Sequence, residues 1–380
     1  MGTPHRWHPG TDRLRGRWTL STPLLPDEIA SSWLVRLAFV QGVDVLSLTG
    51  DLWPGWRCWT QDLDRGASEE HRRTLESASG LPADAFRAAT IGSVIECVAD
   101  LDGRPRGRWP WTTTVGSRNT RRHGGLQFCP TCLAEDAVPY YRLHWRLAWH
   151  AVCEDHAAVL LDRCPACQAP LEPHRLEVRD GSYVLCATCK RDLRAARGDL
   201  VATADPAVIA FQRAADAVMR EGSAHVLGQL VTARQWFALA AFFATFLRRS
   251  DYHGGGPVRR VLEALDVSPP KLDRMSRSVE LESLRSGDRH ALFARLGAML
   301  SLDHDALASA LANAAITRQA LCPKGTTLPD SLEDVARTLP EHVVSQRKRA
   351  VPRANGGPRS RRAVETMMAA LERRLARRAR

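Results

Sequence analysis

The feature that most constrains this chain is a series of four short ligand pairs between residues 129 and 189. The pairs are Cys129-x2-Cys132, Cys153-x2-His156, Cys164-x2-Cys167 and Cys186-x2-Cys189. A C-x2-C pair forms a knuckle that directs two sulfurs at one metal, and two knuckles complete a tetrahedron. Twenty residues separate the first two pairs and eighteen the last two, which is the spacing of zinc ribbons. The sequence therefore predicts two zinc ions per chain.

The pairing of the four knuckles stays open from sequence. A sequential arrangement joins the first pair to the second and the third to the fourth. A cross-braced arrangement joins the first to the third and the second to the fourth. An iron–sulfur cluster is formally possible for an all-cysteine set, but His156 in the first set and the lack of a redox partner motif favour zinc.

The pattern argues against a catalytic metal. A catalytic zinc keeps one open position and usually has three protein ligands. The zinc deaminase motif requires a Glu two residues after its His, whereas Val152 and Ala158 follow His150 and His156 at that distance. H-E-x-x-H is absent as well. We therefore predict a protein that is not an enzyme, with metals that hold its fold together.

The net charge of +11 is concentrated at one end of the chain. Residues 345–380 carry twelve Lys and Arg and two Glu, so this tail has a net charge of +10 and the remaining residues only +1. A block of like charge favours contact with nucleic acid, although such tails are also often only solvated.

The sequence predicts a mainly α protein with two small zinc-ribbon-like modules. We expect a leader over 1–19, an N-terminal helix-turn-helix-like domain and basic linker over 20–125, and tandem zinc fingers over 126–200. A C-terminal helical domain follows over 201–344, and a basic tail over 345–380. The most apolar run, 236–247, is too short to span a membrane, which needs about 20 residues. With no secretory signal at the start, we expect a cytoplasmic, bacterial protein without membrane contact.

Local patterns place several helices. Pro26-Asp27 predicts a helix start with Asp27 as its cap, Gly42 predicts its end, and a second helix follows. A similar layout starts at Ser68 and breaks at Gly80. Trp145 and Trp149, four residues apart, are predicted to share one helix face over the first zinc site. Two apolar stripes predict buried helix faces beyond residue 200: Val208, Phe211, Ala215, Val218; and Trp236, Ala240, Phe243, Leu247.

Candidate nucleic-acid contacts lie in two arginine-rich segments. Residues 102–125 carry six Arg, with Trp109 and Trp111 between them, and basic residues interleaved with aromatics suit backbone and base contacts. Packing of both Trp side chains beneath the next module is the alternative. The candidates are Arg106, Arg108, Trp109, Arg121 and Arg122 in this segment, and Arg347, Lys348, Arg349, Arg361 and Arg362 in the tail.

Two stretches resemble a known family. "PDEIASSWLVRLA" (26–38) is similar to the opening signature of TniQ proteins. "FCPTCLAEDAVPYYRLHWRLAWHAVCEDHAAVLLDRCPACQAPL" (128–171) is similar to the zinc region of that family: C-P-x-C, a Tyr-x-Arg-x3-Trp-like stretch, C-x2-H and C-P-x-C-x3-L. The resemblance covers roughly residues 20–200 and retains all eight ligand positions.

The resemblance implies a non-enzymatic adaptor in DNA transposition. TniQ proteins act in target-site selection beside an AAA+ ATPase of the TnsC or TniB type, and some join a CRISPR RNA-guided complex, often as a dimer. For this chain it implies such an ATPase, DNA, a possible RNA-guided complex and a possible homodimer as partners. It also implies an N-terminal helix-turn-helix domain and two zinc fingers. A zinc-ribbon transcription regulator that binds an operator through helix-turn-helix elements is the alternative.

Overall fold

The structure, a computed structural model, describes residues 18–101, 109–115, 125–196, 198–251, 256–272, 279–341 and 368. Chain contacts divide the protein into two units, Met1–Leu339 and Pro340–Arg380. In the second unit Pro340, Glu341 and Met368 are described, and Met368 is helical. The described residues of the first unit are mainly α-helical with a few short strands, as the sequence predicts.

Five helices form the N-terminal part: α1 (Ala30–Gln41), α2 (Val45–Leu52), α3 (Glu69–Ser79), α4 (Ala83–Ala88) and α5 (Gly92–Val98). Gly42 ends α1 in the left-handed conformation (φ 69°), which costs a glycine little. The chain then turns, and α1 and α2 meet at 103°. The pair therefore has the angle of a helix-turn-helix.

Helix α1 begins later than the sequence predicts. Its N-cap is Ile29, and Asp27 instead has a φ of 56° and contacts the imidazole of His144. The prediction that Asp27 caps this helix is wrong, because a residue 117 positions away along the chain takes its carboxylate. The predicted helix that starts at Ser68 and breaks at Gly80 is confirmed as α3. The hydroxyl of Ser68 accepts a hydrogen bond from the backbone N–H of His71, and Gly80 ends the helix with φ 75°.

The middle segment contains little regular structure. It holds α6 (Pro130–Glu135) and a two-stranded antiparallel sheet of β1 (Val152–Cys153) and β2 (Ala158–Val159). The predicted helix that would carry Trp145 and Trp149 on one face is wrong, because only a short 3₁₀ turn, His144–Arg146, forms there. Both Trp side chains are nonetheless buried, and Trp149 packs against Trp111 and Phe237.

The C-terminal part is helical apart from one hairpin. Its elements are α7 (Pro206–Glu221), β3 (Ser223–Val226), β4 (Gln229–Thr232), α8 (Ala233–Arg248), α9 (Pro257–Ala264), α10 (Ser286–Leu300), α11 (His304–Asn313), α12 (Arg318–Leu321) and α13 (Glu333–Thr338). The two apolar stripes predicted on α7 and α8 are confirmed, since all eight side chains are buried. The β3–β4 hairpin turns at Leu227 and Gly228, both with positive φ.

The buried side chains form two clusters. One lies within the N-terminal part and includes Trp33, Leu37 and Leu75. The other runs from Ile29 to Leu339 and joins the metal-binding segment to the C-terminal helices. Among the described residues, no single helix is long and apolar enough to cross a membrane, and only the bent pair α1–α2 passes such a test by length and composition.

Candidate metal centres

The first candidate metal centre brings the first two knuckles together. Cys129 and Cys132 lie at the start of α6, Cys153 ends β1, and His156 lies in the β1–β2 turn. The Nδ1 atom of His156 is 3.5 Å from the sulfur of Cys129, 3.3 Å from that of Cys132 and 3.4 Å from that of Cys153. The sulfurs of Cys132 and Cys153 are 3.5 Å apart. Four donor atoms thus surround one point.

The second candidate metal centre is formed by the last two knuckles. The sulfurs of Cys164 and Cys189 are 3.7 Å apart, and those of Cys167 and Cys186 are 3.6 Å apart. All four sulfurs lie within 4.8 Å of one another. The grouping in both centres is sequential rather than cross-braced.

The donor distances fit a single tetrahedral ion in each centre. Zn–S bonds of about 2.3 Å place two sulfurs of a tetrahedron about 3.8 Å apart, and a Zn–N bond of about 2.1 Å brings a nitrogen to about 3.6 Å from each sulfur. The observed separations of 3.3–3.7 Å approach these values. A disulfide requires a sulfur–sulfur distance of about 2.05 Å, and all seven cysteines of the two centres are free. Both centres can therefore hold a metal ion.

Three of the four knuckles turn through a residue with positive φ. Gln168 and Lys190 follow the second cysteine of their knuckles with φ near 60°, and each donates its backbone N–H to the carbonyl oxygen of the first cysteine, 2.8 Å away. Ala157 takes the equivalent place after His156 with φ 44°. The first knuckle differs because Pro130 starts α6 there. This conformation favours glycine, and none of the three positions has one.

A carboxylate outside the donor set fixes the histidine. Glu135, the last residue of α6, lies with its Oε2 atom 2.9 Å from Nε2 of His156. Since Nδ1 faces the sulfurs, Nε2 carries the ring proton, and this N–H donates a hydrogen bond to the carboxylate of Glu135. Carboxylates placed in this way orient a metal-binding imidazole and raise its basicity. Sequence reasoning missed Glu135, although an acid a few residues after Cys129 and Cys132 was the available signal.

The two centres differ in burial. Cys129, Cys132 and Cys153 are buried and His156 is partly buried, whereas Cys167 and Cys189 of the second centre are exposed. The backbone N–H of Arg191 lowers the pKa of the Cys189 thiol to about 7, so this exposed thiolate is stabilised by its own knuckle.

A buried ion-pair network attaches the metal-binding segment to the N-terminal helices. The guanidinium of Arg146 is fully buried, and its Nη1 atom donates to Asp64 (2.6 Å) and its Nη2 atom to Asp62 (2.8 Å). Burial alone would lower the pKa of Arg146, and the two facing carboxylates raise it instead. Asp64 also accepts from the backbone and hydroxyl of Ser31 in α1. The network thus ties α1 to the chain just before β1.

A second buried arginine attaches the C-terminal helices. Arg289 of α10 donates to the carbonyl oxygen of Ala148 (2.8 Å) and to the side-chain oxygen of Gln127 (2.7 Å). Its burial lowers the pKa of the guanidinium to about 10. Gln127 in turn donates to the carbonyl oxygens of Trp145 and His150. The segment around the first centre is therefore held from both sides.

Carboxylates near the centres have structural partners. Asp136 forms a two-point ion pair with Arg142, and Asp162 accepts from the backbone N–H of Ser286. With four donors at each centre, neither donor set leaves a position for substrate. The arrangement is suited to stabilising folded structure.

The predicted nucleic-acid contacts fall largely outside the described residues, including Arg106, Arg108, Arg121 and Arg122 and all five candidates in the tail, Arg347, Lys348, Arg349, Arg361 and Arg362. Trp109 is described and is only 8% exposed, and the guanidinium of Arg65 lies 5.1 Å from its ring centre. Trp111 is 3% exposed. Both Trp side chains pack in the protein interior, which is the second of the two interpretations that the sequence left open.

The fold and the two centres together define a mainly α-helical protein built around tandem four-ligand metal modules. Residues 20–160 match the family model of TniQ, so the chain carries a TniQ domain and the family assignment made from the sequence is confirmed. The match spans α1 to α6 and includes the whole first centre. A search of the curated proteins found no match. TniQ is a non-catalytic accessory family in transposition with a role in target selection.

Proposed function

We propose that this protein is a non-enzymatic adaptor that links a targeting complex or target DNA to an AAA+ transposition ATPase of the TnsC or TniB type. The observation that carries the proposal is the TniQ match over residues 20–160, in a chain whose two metal centres have closed donor sets. In this proposal each centre holds one zinc ion, because a set of three thiolates and one imidazole and a set of four thiolates at tetrahedral spacing both suit zinc.

The surface of α2 favours an adaptor over an operator-binding regulator. The bidentate base contacts that a recognition helix makes come from Arg, Lys, Asn and Gln, and residues 45–52 (VLSLTGDL) contain none of these. Around the turn from α1 to α2, Val40, Val43 and Leu46 are instead 46%, 37% and 55% exposed. Exposed apolar side chains of this kind are typical of protein contacts rather than of base recognition.

The test is capture of the ATPase by the intact, metal-loaded chain. We expect the purified protein to retain an AAA+ transposition ATPase encoded beside it, and the variant Cys164→Ser to lose it, because a missing ligand unfolds the second module. Cys97→Ser is the matched control, since Cys97 is exposed and belongs to neither centre. Metal-loaded protein that does not retain the ATPase would overturn the proposal. Tight binding to one operator sequence with no ATPase capture would support the regulator.

A further inference from the structure

A cleft of about 640 Å³ lies between α9 and α10, far along the chain from the metal centres. One lining residue comes from each helix, Arg259 of α9 and Arg295 of α10, and five come from the chain between them: Ser268, Pro269, Pro270, Lys271 and Leu272. Three of the seven are cations and none is an acid. The two prolines have fixed φ angles, so this part of the wall is preorganised.

The cations in the cleft have no acidic partner in the part of the chain that the structure describes. Among the described residues, Arg259, Lys271 and Arg295 form no ion pair with a carboxylate, and Nε of Arg259 lacks a hydrogen-bond partner altogether. Other surface arginines of the C-terminal part are paired, such as Arg318 with Glu333 and Arg337 with Asp334. Three like charges that line one cleft repel one another, and an anionic ligand would relieve that repulsion.

The geometry prepares one of these cations for such a ligand. Arg295 donates from Nε to the hydroxyl of Ser268 (3.3 Å) and from Nη1 to the carbonyl oxygen of Ala291 (3.2 Å). These two bonds hold the guanidinium in place at the edge of the cleft. A guanidinium fixed in this way can offer paired N–H groups to the oxygens of a phosphate.

We propose that this cleft binds the phosphodiester backbone of duplex DNA. Two guanidinium groups and one ammonium group provide the charge that backbone contacts require. Proteins that hold single strands add aromatic side chains on which the bases stack, and none of the seven lining residues is aromatic. The contact therefore positions the protein on a duplex without reading its sequence. The inference rests on the proposed function, because it supplies the surface through which the adaptor would contact target DNA.

The experiment compares two double variants of the full, zinc-loaded chain. Arg259→Ala/Lys271→Ala removes two charges from the cleft, and Arg220→Ala/Lys324→Ala removes two from elsewhere in the C-terminal part. Binding to a fluorescent DNA duplex and to a single strand of the same length and sequence is followed by anisotropy over a range of salt concentrations. The cleft variant should bind the duplex about tenfold more weakly or worse, and its log K against log[salt] slope should be smaller by about two.

The control variant should keep the affinity and slope of the unmodified chain. Equal losses in both variants, or an unchanged duplex affinity in the cleft variant, would overturn the inference. So would a loss confined to the single strand. ATPase capture separates this inference from the proposed function. A cleft variant that captures the ATPase and binds DNA as the unmodified chain does would overturn only the role of the cleft in DNA binding. An unmodified chain that captures no ATPase would overturn the adaptor role.

Discussion

The imidazole of His156 donates from Nε2 to the carboxylate of Glu135, 21 residues earlier in the chain, across 2.9 Å. This contact joins the end of α6 to the β1–β2 turn and leaves Nδ1 as the atom that faces the three sulfurs. The carboxylate is 68% exposed, so its role is to orient the ring rather than to fill the interior.

Replacing that carboxylate should weaken one metal centre and spare the other. We expect Glu135→Ala to lower the zinc affinity of the first centre about 10- to 100-fold, because the imidazole loses its orientation and some basicity. Zinc release to a coloured chelator measures this. The second centre serves as the internal control, since only one of two release phases should become faster. Two unchanged phases would show that Glu135 does not act on the metal.

Removing the buried Arg146 should cost much of the protein's stability. Arg146→Met leaves Asp64 buried without its counter-charge, for which about 3–5 kcal/mol of unfolding free energy is expected. Urea unfolding of the zinc-loaded protein measures this. Arg213→Met, which breaks a surface pair with Glu154, should cost about 1 kcal/mol or less. Adding Asp62→Asn and Asp64→Asn to Arg146→Met should restore part of the lost unfolding free energy. If none is restored, the loss comes from side-chain packing rather than from the unpaired charge.

A glycine after the second ligand of a knuckle should stabilise it. Ala157 has φ 44°, a conformation that costs an L-residue about 1 kcal/mol. We expect Ala157→Gly to raise the unfolding free energy by about that amount, measured in denaturant with zinc bound. Ala158→Gly, one position on in β2, should lower the unfolding free energy by about 0.5–1 kcal/mol. At an ordinary strand position a glycine relieves no strain and only increases the conformational entropy of the unfolded chain. Destabilisation by both substitutions would contradict this account of the turn.

His174 should make the protein less stable in mild acid. Its ring stacks on Trp59 with centroids 4.8 Å apart, and burial lowers its pKa to about 4. The unfolded histidine titrates near 6.5, so the unfolded state binds the extra proton first. The stability that neutral His174 contributes is therefore present above pH 6.5 and is lost as the pH falls towards 4, by up to about 3 kcal/mol.

The comparison of His174→Phe with the unmodified chain isolates this effect. Loss of zinc in acid affects both proteins, but only the histidine carries the additional proton. The difference in unfolding free energy between the two should therefore shift in favour of His174→Phe between pH 7 and pH 5. A constant difference would show that His174 does not titrate in this range.

The metal ligands were accessible from sequence because a knuckle is a local feature. Two ligands three residues apart reach one metal through a single turn, so the spacing alone brought out all eight residues that the structure places together. The cap at Ser68 and the helix end at Gly80 are local in the same sense. The buried faces of α7 and α8 followed from helical periodicity.

The features that sequence reasoning missed depend on distant parts of the chain. Arg146 forms ion pairs with two carboxylates that lie 82 and 84 residues away along the chain. Asp27 contacts His144 instead of capping α1. Trp145 and Trp149 lie at helical spacing, yet their segment is held by hydrogen bonds to Gln127 and Arg289 instead of forming a helix. The β3–β4 hairpin was also missed, although a glycine, Gly228, between two short segments was a local signal for a turn.

Loss of one ligand should release one ion without unfolding the whole chain. Cys164→Ser removes a ligand from the second centre, whose zinc stabilises a small module by on the order of 10 kcal/mol. We expect this variant to retain one zinc and to keep the helices beyond residue 200, measured by metal content and far-ultraviolet circular dichroism. Retention of both ions, or loss of most helical signal, would contradict the separation of the two centres.

The most direct test of the account is the metal content of the purified full chain, measured by mass spectrometry of the elements. The account predicts two zinc ions per chain and no stoichiometric iron, with Cys132→Ser and Cys164→Ser each lowering the zinc content by one. A chain that folds with no zinc, or that carries iron in place of zinc, would contradict it.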